Sequence, residues 1–253
     1  MSPVSGPGPG DVEVAAGAAR AASDVLLALR AEPGAQGRAL GDAGDAGAQA
    51  AIAGVLADLR PADAVLSEEA VDDPRRLAAP RVWIVDPLDG TREYGEPGRP
   101  DWAVHVALWA EGELTAAAVA LPALGQVLVT EPAPEVPERT GGRLRIAVSR
   151  TRPPAEAGAV AGALDAELVP MGSAGWKVTA VVRGDVDAYV HAGGMYQWDS
   201  AAPVAVALAA GLSATRLDGS PLRYNAPDPA LPDLVVCRPE LTETILTAVA
   251  AAR

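Results

Sequence analysis

The 253 residues contain no phenylalanine, one cysteine and two histidines, and only 4% of them are aromatic. Without Phe, the core must be filled by small aliphatic residues, chiefly Ala and Val, and at 49% apolar the chain has ample material for one. The lone Cys237 excludes an internal disulfide, and its setting in Leu234-Val235-Val236-Cys237 reads as a buried thiol rather than a nucleophile. Two histidines do not make a His-rich zinc centre. Basic residues are outnumbered, 20 Lys and Arg against 33 Asp and Glu, and the formal charge of −13 argues against a nucleic-acid surface. An acidic protein still binds anions where bound cations supply local positive charge. No apolar run is long enough to span a bilayer, and no G-x-x-x-x-G-K-[ST] phosphate loop occurs. Residues 1–10 are rich in Pro, Gly and Ser and lack the basic and apolar regions of a signal peptide. They are expected to form a flexible start, and the protein to be cytoplasmic.

Periodicity predicts a helix from near Val12 to Arg30, ended by Glu32-Pro33-Gly34. A second helix is expected after Gly41-Asp42-Ala43-Gly44-Asp45, with Ile52, Val55, Leu56 and Leu59 at helical spacing. Asp45 there is a cap, a catalytic acid, or both. Ala64-Val65-Leu66 is a short strand running into Ser67-Glu68-Glu69, and Asp72 to Arg76 reads as a loop. Val82 to Val85 form a buried strand ending on Asp86, with Pro87 as its stop. Trp102 to Trp109, Leu114 to Leu121 and Gln126 to Thr130 suggest an antiparallel meander. His105, with no second histidine nearby, reads as a packed or solvent-facing strand residue rather than a metal ligand. The Pro- and Glu-dense stretch from Glu131 to Gly142 divides an α+β half at 11–139 from an α/β half at 143–253. In the second half, strands are expected at 144–148, 168–171, 186–190 and 234–237. Helices are expected at 155–164, from Trp176, from Trp198 to Ala210 with Pro203 near its first turn, and from about Glu240 to Ala252. His191 to Gly194 reads as a loop.

Asp86-Pro87-Leu88-Asp89-Gly90-Thr91 sets two carboxylates and a hydroxyl at the carboxyl end of a strand. Hard divalent cations take such oxygens, and a helix start beside them offers amides to phosphate. Singly, the other candidates have ordinary readings too. Glu68-Glu69 can be solvated surface, Gly172-Ser173-Ala174-Gly175 a tight packing turn, and Asp199 in Trp198-Asp199-Ser200-Ala201-Ala202 a helix cap.

Taken in order, these strings resemble the two signatures of the inositol monophosphatase and fructose-1,6-bisphosphatase superfamily of metal-dependent phosphatases. Arg92-Glu93-Tyr94 is similar to its CysQ branch, which acts on 3′-phosphoadenosine 5′-phosphate (PAP). The resemblance runs from about Asp45 to the last helix. It implies an α/β fold, a layered α-β-α-β-α sandwich of the sugar-phosphatase type, with Asp199 reaching the other ligands across a cleft. It implies two or three Mg²⁺ per site, held by Glu68, Asp86, the Leu88 carbonyl, Asp89 and Asp199, with Asp86 bridging. Thr91, with Asp45 or Glu68, would position the attacking water. Leu88, Asp89, Gly90, Thr91, Arg92, Gly172, Ser173, Lys177 and Asp199 would line the substrate. Arg92, Lys177 or Arg223 would meet a second phosphate.

The implied reaction is hydrolysis of PAP to AMP and phosphate, inhibited by lithium and serving sulfate assimilation. The implied partner is a small phosphorylated substrate, with no nucleic-acid polymer and no membrane, and a homodimer is a possibility. Gln197 departs from the branch, which commonly carries an acid there, and this could change hydroxyl recognition. The runner-up is therefore a broader phosphatase of inositol 1-phosphate or fructose 1,6-bisphosphate. A non-catalytic Mg²⁺-dependent nucleotide or phosphate sensor is the alternative of another class, and the full ligand set with Thr91 speaks against it. A haloacid-dehalogenase-type phosphatase is excluded, because its nucleophile position holds Pro87.

Overall fold

A computed structural model describes residues 9–34 and 36–252. The chain begins with α1 (Asp11–Ala31) and α2 (Gly37–Leu59), followed by β1 (Ala64–Ser67), β2 (Arg81–Asp89) and the one-turn α3 (Thr91–Gly95). A meander of β3 (Ala103–Ala110), β4 (Glu113–Leu121) and β5 (Gln126–Val129) completes a first sheet of order β1-β2-β3-β4-β5. After a stretch without helix or strand come β6 (Arg145–Ser149), α4 (Ala155–Leu164), β7 (Glu167–Met171) and α5 (Ala174–Val182). The chain closes with β8 (Ala188–Tyr196), α6 (Gln197–Ala209), β9 (Ser213–Thr215), β10 (Ala230–Cys237) and α7 (Thr242–Ala251). The second sheet runs β7-β6-β8-β10-β9.

Small side chains set the layering. The buried alanines of α1 and Leu26, Ile52 and Leu56 cover one face of the first sheet, against Trp83, Val104, Val106 and Leu108. The other face meets α6 through Ala201, Ala202 and Ala205, packed on Ile84, Ala103, Ala107 and Ala117. Val178, Val181 and Val204 of α5 and α6 pack in turn on Tyr189, Leu234 and Val236 of the second sheet. α4 and α7 close its far face with Val160, Ile245 and Val249. The order is α-β-α-β-α, as the resemblance implied. Alanine on both sides of the central contact lets helix and sheet approach closely, which is how a core without Phe fills its space. No helix among the described residues is long and apolar enough to cross a membrane.

Several local expectations are corrected. Of the expected flexible start, residues 1–8 lie outside the described residues. Pro9 accepts a hydrogen bond from Arg60 Nη2 at 2.6 Å, and the Gly10 amide donates to Glu13 Oε2 at 2.9 Å. The strand does not stop at Pro87 but runs on to Asp89, because β2 bulges against β3 there and no ladder bond is required of Pro87. α2 begins at Gly37, so Asp45 lies within the helix and is no cap. Its glycines serve packing: a Cβ on Gly44 would stand 2.7 Å from the Tyr94 ring. Pro74–Ala78 is a 3-10 turn rather than open loop, with Arg76 buried between Asp72 and Asn225. His191 to Gly194 continues β8, paired to a β10 that starts at Ala230 and shifts register between Leu231 and Asp233. Pro203 sits in the interior of α6, where its missing N–H leaves the Asp199 carbonyl without its usual helical donor.

Candidate active site

The β2–β3 register carries Asp86 opposite His105 and then shifts, so that Asp89 pairs with Ala103. In a regular strand, residues three apart point to opposite faces. The bulge brings Asp86 and Asp89 to one side, and α6 brings Asp199 up to them: each offers an oxygen within 4.8 Å of the others. Asp86 is fully buried. Its Oδ1 accepts from the Leu88 amide at 3.1 Å, while Oδ2 has no hydrogen-bond partner among the described residues. Asp89 Oδ2 accepts from Ser173 Oγ at 2.5 Å and from the Gly175 amide at 2.6 Å, so its other oxygen is the one left to face a ligand. Asp199 lies in the first turn of α6, and its Oδ2 accepts from the Tyr196 amide at 2.6 Å. Glu68 follows the end of β1 at the open rim.

The electrostatics are those of crowded carboxylates. Burial, then the charges of Asp89 and Glu68, pushes Asp86 well above the usual carboxylate range. Burial on its inner side and the charges of Asp199 and Asp89 push Glu68 up to about 7. Burial and Asp89 push Asp199 up to about 7. No Arg or Lys among the described residues forms an ion pair with Asp86, Asp89 or Asp199. A buried orphan carboxylate oxygen and an acidic triad without an Arg or Lys ion pair fit a hard divalent cation, which takes oxygen ligands and removes the repulsion.

Thr91 opens α3 beside this cluster. Its hydroxyl lies 3.1 Å from the Leu88 carbonyl and 3.3 Å from Asp45 Oδ1. One hydrogen is shared between these two acceptors, so both lone pairs of Oγ1 remain for other donors. Gly41 of α2 makes the approach possible, since a Cβ there would meet the Thr91 methyl at 2.7 Å. Burial and Glu69 push Asp45 up to about 6. Gly90 has a φ of 88°, and a Cβ on it would stand 3.1 Å from Ser173 and 3.3 Å from the Asp101 carbonyl.

The remaining candidates divide. Of Arg92-Glu93-Tyr94, only Arg92 is exposed. Glu93 is buried in an ion pair with Arg150 at 2.5 Å, and the Tyr94 hydroxyl donates to the Leu26 carbonyl at 2.8 Å. Arg92 lines a groove of about 410 Å³ with Gly37, Arg38, Asp42, Thr91 and Glu96. Lys177 is buried, and its Nζ donates to the carbonyls of Gly172 (3.0 Å) and Ser173 (2.6 Å), holding the turn that binds Asp89. Arg223 is exposed. Gln197 is buried, with Oε1 accepting from the Asn225 amide and Nε2 donating to the Asp228 carbonyl. It secures the 225–229 loop. The sequence marks His105 only as a packed or solvent-facing strand residue. It is fully buried against Asp86, Asp89 and the start of α6, and its one sequence signal is a polar residue on a strand otherwise apolar on both faces.

Fold and site together define a layered α/β protein with a cluster of three carboxylates, able to hold a cation, at the end of a bulged strand. The profile of the inositol monophosphatase family matches residues 12–253, and the chain belongs to that family. A curated 3′-phosphoadenosine 5′-phosphate phosphatase of Mycobacterium leprae (strain TN) is 54% identical over 249 residues, covering 93% of this chain and 92% of that protein. The 3′(2′),5′-bisphosphate nucleotidase CysQ of Escherichia coli (strain K12) is 33% identical over 198 residues, covering 72% and 78%. Among solved structures, CysQ from Bacteroides thetaiotaomicron has a TM-score of 0.77 at 24% identity, covering 90% of this chain and 97% of that one. At that identity the likeness is one of fold.

Proposed function

We propose that the protein is a Mg²⁺-dependent phosphatase that hydrolyses PAP at its 3′-phosphate to give AMP and phosphate, as a cytoplasmic step of sulfate assimilation. The observation that carries this reading is the 54% identity, over nearly the whole of both chains, to a curated PAP phosphatase. The acidic triad with its orphan Asp86 oxygen supports the metal dependence. In this reading the 11–139 half contributes Glu68, Asp86, the Leu88 carbonyl and Asp89, and the 143–253 half contributes Asp199. Together they hold two or three Mg²⁺. Bound there, the ions supply Lewis-acid charge to the phosphate and lower the pKa of the attacking water.

The chain's own groups do the rest. Thr91 Oγ1 accepts a hydrogen bond from the water and passes its own hydrogen toward Asp45 Oδ1, a carboxylate close to 6 and so largely available as a base at neutral pH. Glu68 is a metal ligand in this reading, and its value of about 7 belongs to the metal-free protein, since a bound cation lowers it. The amides of Gly90 and Thr91 face phosphate oxygens, and Gly172 and Ser173 line the ester side. Arg92 meets the second phosphate of the substrate, since Lys177 is committed to two carbonyls. The substrate is a free small molecule rather than a nucleic-acid polymer, and the protein is proposed to be a homodimer, which light scattering across concentration tests. Phosphate release from PAP, inositol 1-phosphate and fructose 1,6-bisphosphate with Mg²⁺, compared as kcat/KM, tests the assignment. PAP is expected to be the best of the three. A better sugar phosphate overturns the substrate, and tight PAP binding without phosphate release identifies a sensor.

A further inference from the structure

Asp86 and Asp89 are joined by two residues of chain, whereas Asp199 arrives on a separate helix. The contact of α6 with the first sheet is made by Ala201, Ala202 and Ala205 on Ala103, Ala107 and Ala117. Such contact is short-ranged in chemistry and non-directional, so it sets the depth of the helix but not its axial position. One polar tie crosses at the level of the carboxylates. His105 Nδ1 lies 3.1 Å from the carbonyl of Trp198, the residue immediately before Asp199. A carbonyl only accepts, so Nδ1 carries the hydrogen and donates it. The same ring stands 3.8 Å from Asp86 Oδ2 and 3.3 Å from Asp89 Oδ2. It comes from the strand position directly opposite Asp86. Its remaining side is closed by Gly175, where an added Cβ would overlap the imidazole. The ring is thus held between the β2 bulge and the starts of α5 and α6, and it is fully buried.

We propose that His105 is a positioning residue that fixes the distance of Asp199 from the Asp86–Asp89 pair, and through that distance sets the protein's affinity for divalent cations. The Nδ1–H bond ties the first turn of α6 to the strand position opposite Asp86, and so holds Asp199 at its distance from the Asp86–Asp89 pair. This inference rests on the metal-dependent reading above. It adds a residue that touches neither metal nor substrate and acts through the helix that carries Asp199.

The test compares His105→Leu, which fills space without a donor, with His105→Asn, whose amide can place a donor near Nδ1. Mg²⁺ binding is measured by calorimetry without substrate, alongside PAP turnover against Mg²⁺ concentration and thermal unfolding in EDTA. Outer-shell partners of metal ligands typically tune affinity by 10–100-fold, so the Mg²⁺ half-saturation in His105→Leu should rise by about tenfold or more, with KM for PAP at saturating Mg²⁺ little changed. His105→Asn should stay within about threefold of the parent protein. A merely structural histidine would lower the EDTA melting temperature in both variants and leave the Mg²⁺ half-saturation alone. If His105→Leu does not fold, His105→Gln replaces it with the same expectation, because its amide sits at the Nε2 end and cannot serve Trp198 in the same way. The proposal is overturned if the donor-less variant binds Mg²⁺ like the parent, or if His105→Asn binds as weakly as His105→Leu. Absence of Mg²⁺ binding by the parent protein would instead overturn the metal-dependent reading itself.

Discussion

Asp86, Asp89 and Thr91 come from one short stretch, and their arrangement is set by a strand bulge and a single helical turn. Asp199 stands on the opposite wall and depends on the packing of α6 between two sheets. The first wall is local and stiff. The second is held by long-range contacts: His105 to Trp198, Asp89 to Ser173 and Gly175, and Gln197 to the 225–229 loop. The difference teaches that chemistry written in one motif still requires a partner wall whose position no motif encodes.

The comparison can be broken first at Asp86. Its orphan oxygen makes it the most buried acid of the cluster, and Asp86→Asn keeps the shape while removing the charge. Loss of several kcal/mol of electrostatic stabilisation corresponds to a fall in kcat/KM of about a thousandfold or more. Asp199→Asn, on the other wall, should cost less, on the order of a hundredfold, because Asp86 and Asp89 persist as a partial site. Equal losses would show that the two walls are not distinguishable by position. Thr91→Val, which removes only the hydroxyl, should lower kcat by about a hundredfold at saturating Mg²⁺, the usual scale for proton-transfer assistance.

A smaller effect sharpens the electrostatic side. Glu68 and Asp199 sit near 7 against ordinary values of 4.5 and 3.8, so folding favours their protonated forms. In the metal-free protein this contribution to stability is fully present below the ordinary values and is lost as pH rises through 7. A bound cation removes the loss. Mg²⁺ should therefore raise the melting temperature more at about pH 8 than at about pH 5, and an equal shift at both would contradict the crowding of these acids. The smallest effect on chemistry is expected at Gln197. Gln197→Glu would set a carboxylate oxygen against the Asp228 carbonyl and cost about 1–3 kcal/mol of stability. The relative kcat/KM for PAP and inositol 1-phosphate should not move, because the side chain is buried and both its ends are engaged by the 225–229 loop.

The first wall was legible because its information is contiguous: Asp86 to Thr91 gave both acids, the hydroxyl and the Gly turn in chain order. The meander was legible for the same reason, through the alternation along its strands. Misreadings arose where tertiary contact overrode a local signal. Pro87 looks like a strand stop, but a bulge leaves it no bond to lose. The glycines before Asp45 look like a helix start, but they are the close face of α2 against Thr91, Tyr94 and Leu26. Gln197 stands out in the sequence only as a neutral residue where an acid is common, and no local signal shows that its side chain ties down the 225–229 loop. The role of His105 was hidden because its partner lies 93 residues away and on another element.

The central claim is that one cation centre is assembled from both walls. The most direct measurement is anomalous diffraction from crystals of the protein loaded with Mn²⁺. The account predicts a peak with Asp86 and Asp199 both within metal–oxygen bonding distance, about 2 Å. Mn²⁺ bound only to Asp86, Asp89 or Glu68, with Asp199 out of reach, would contradict it.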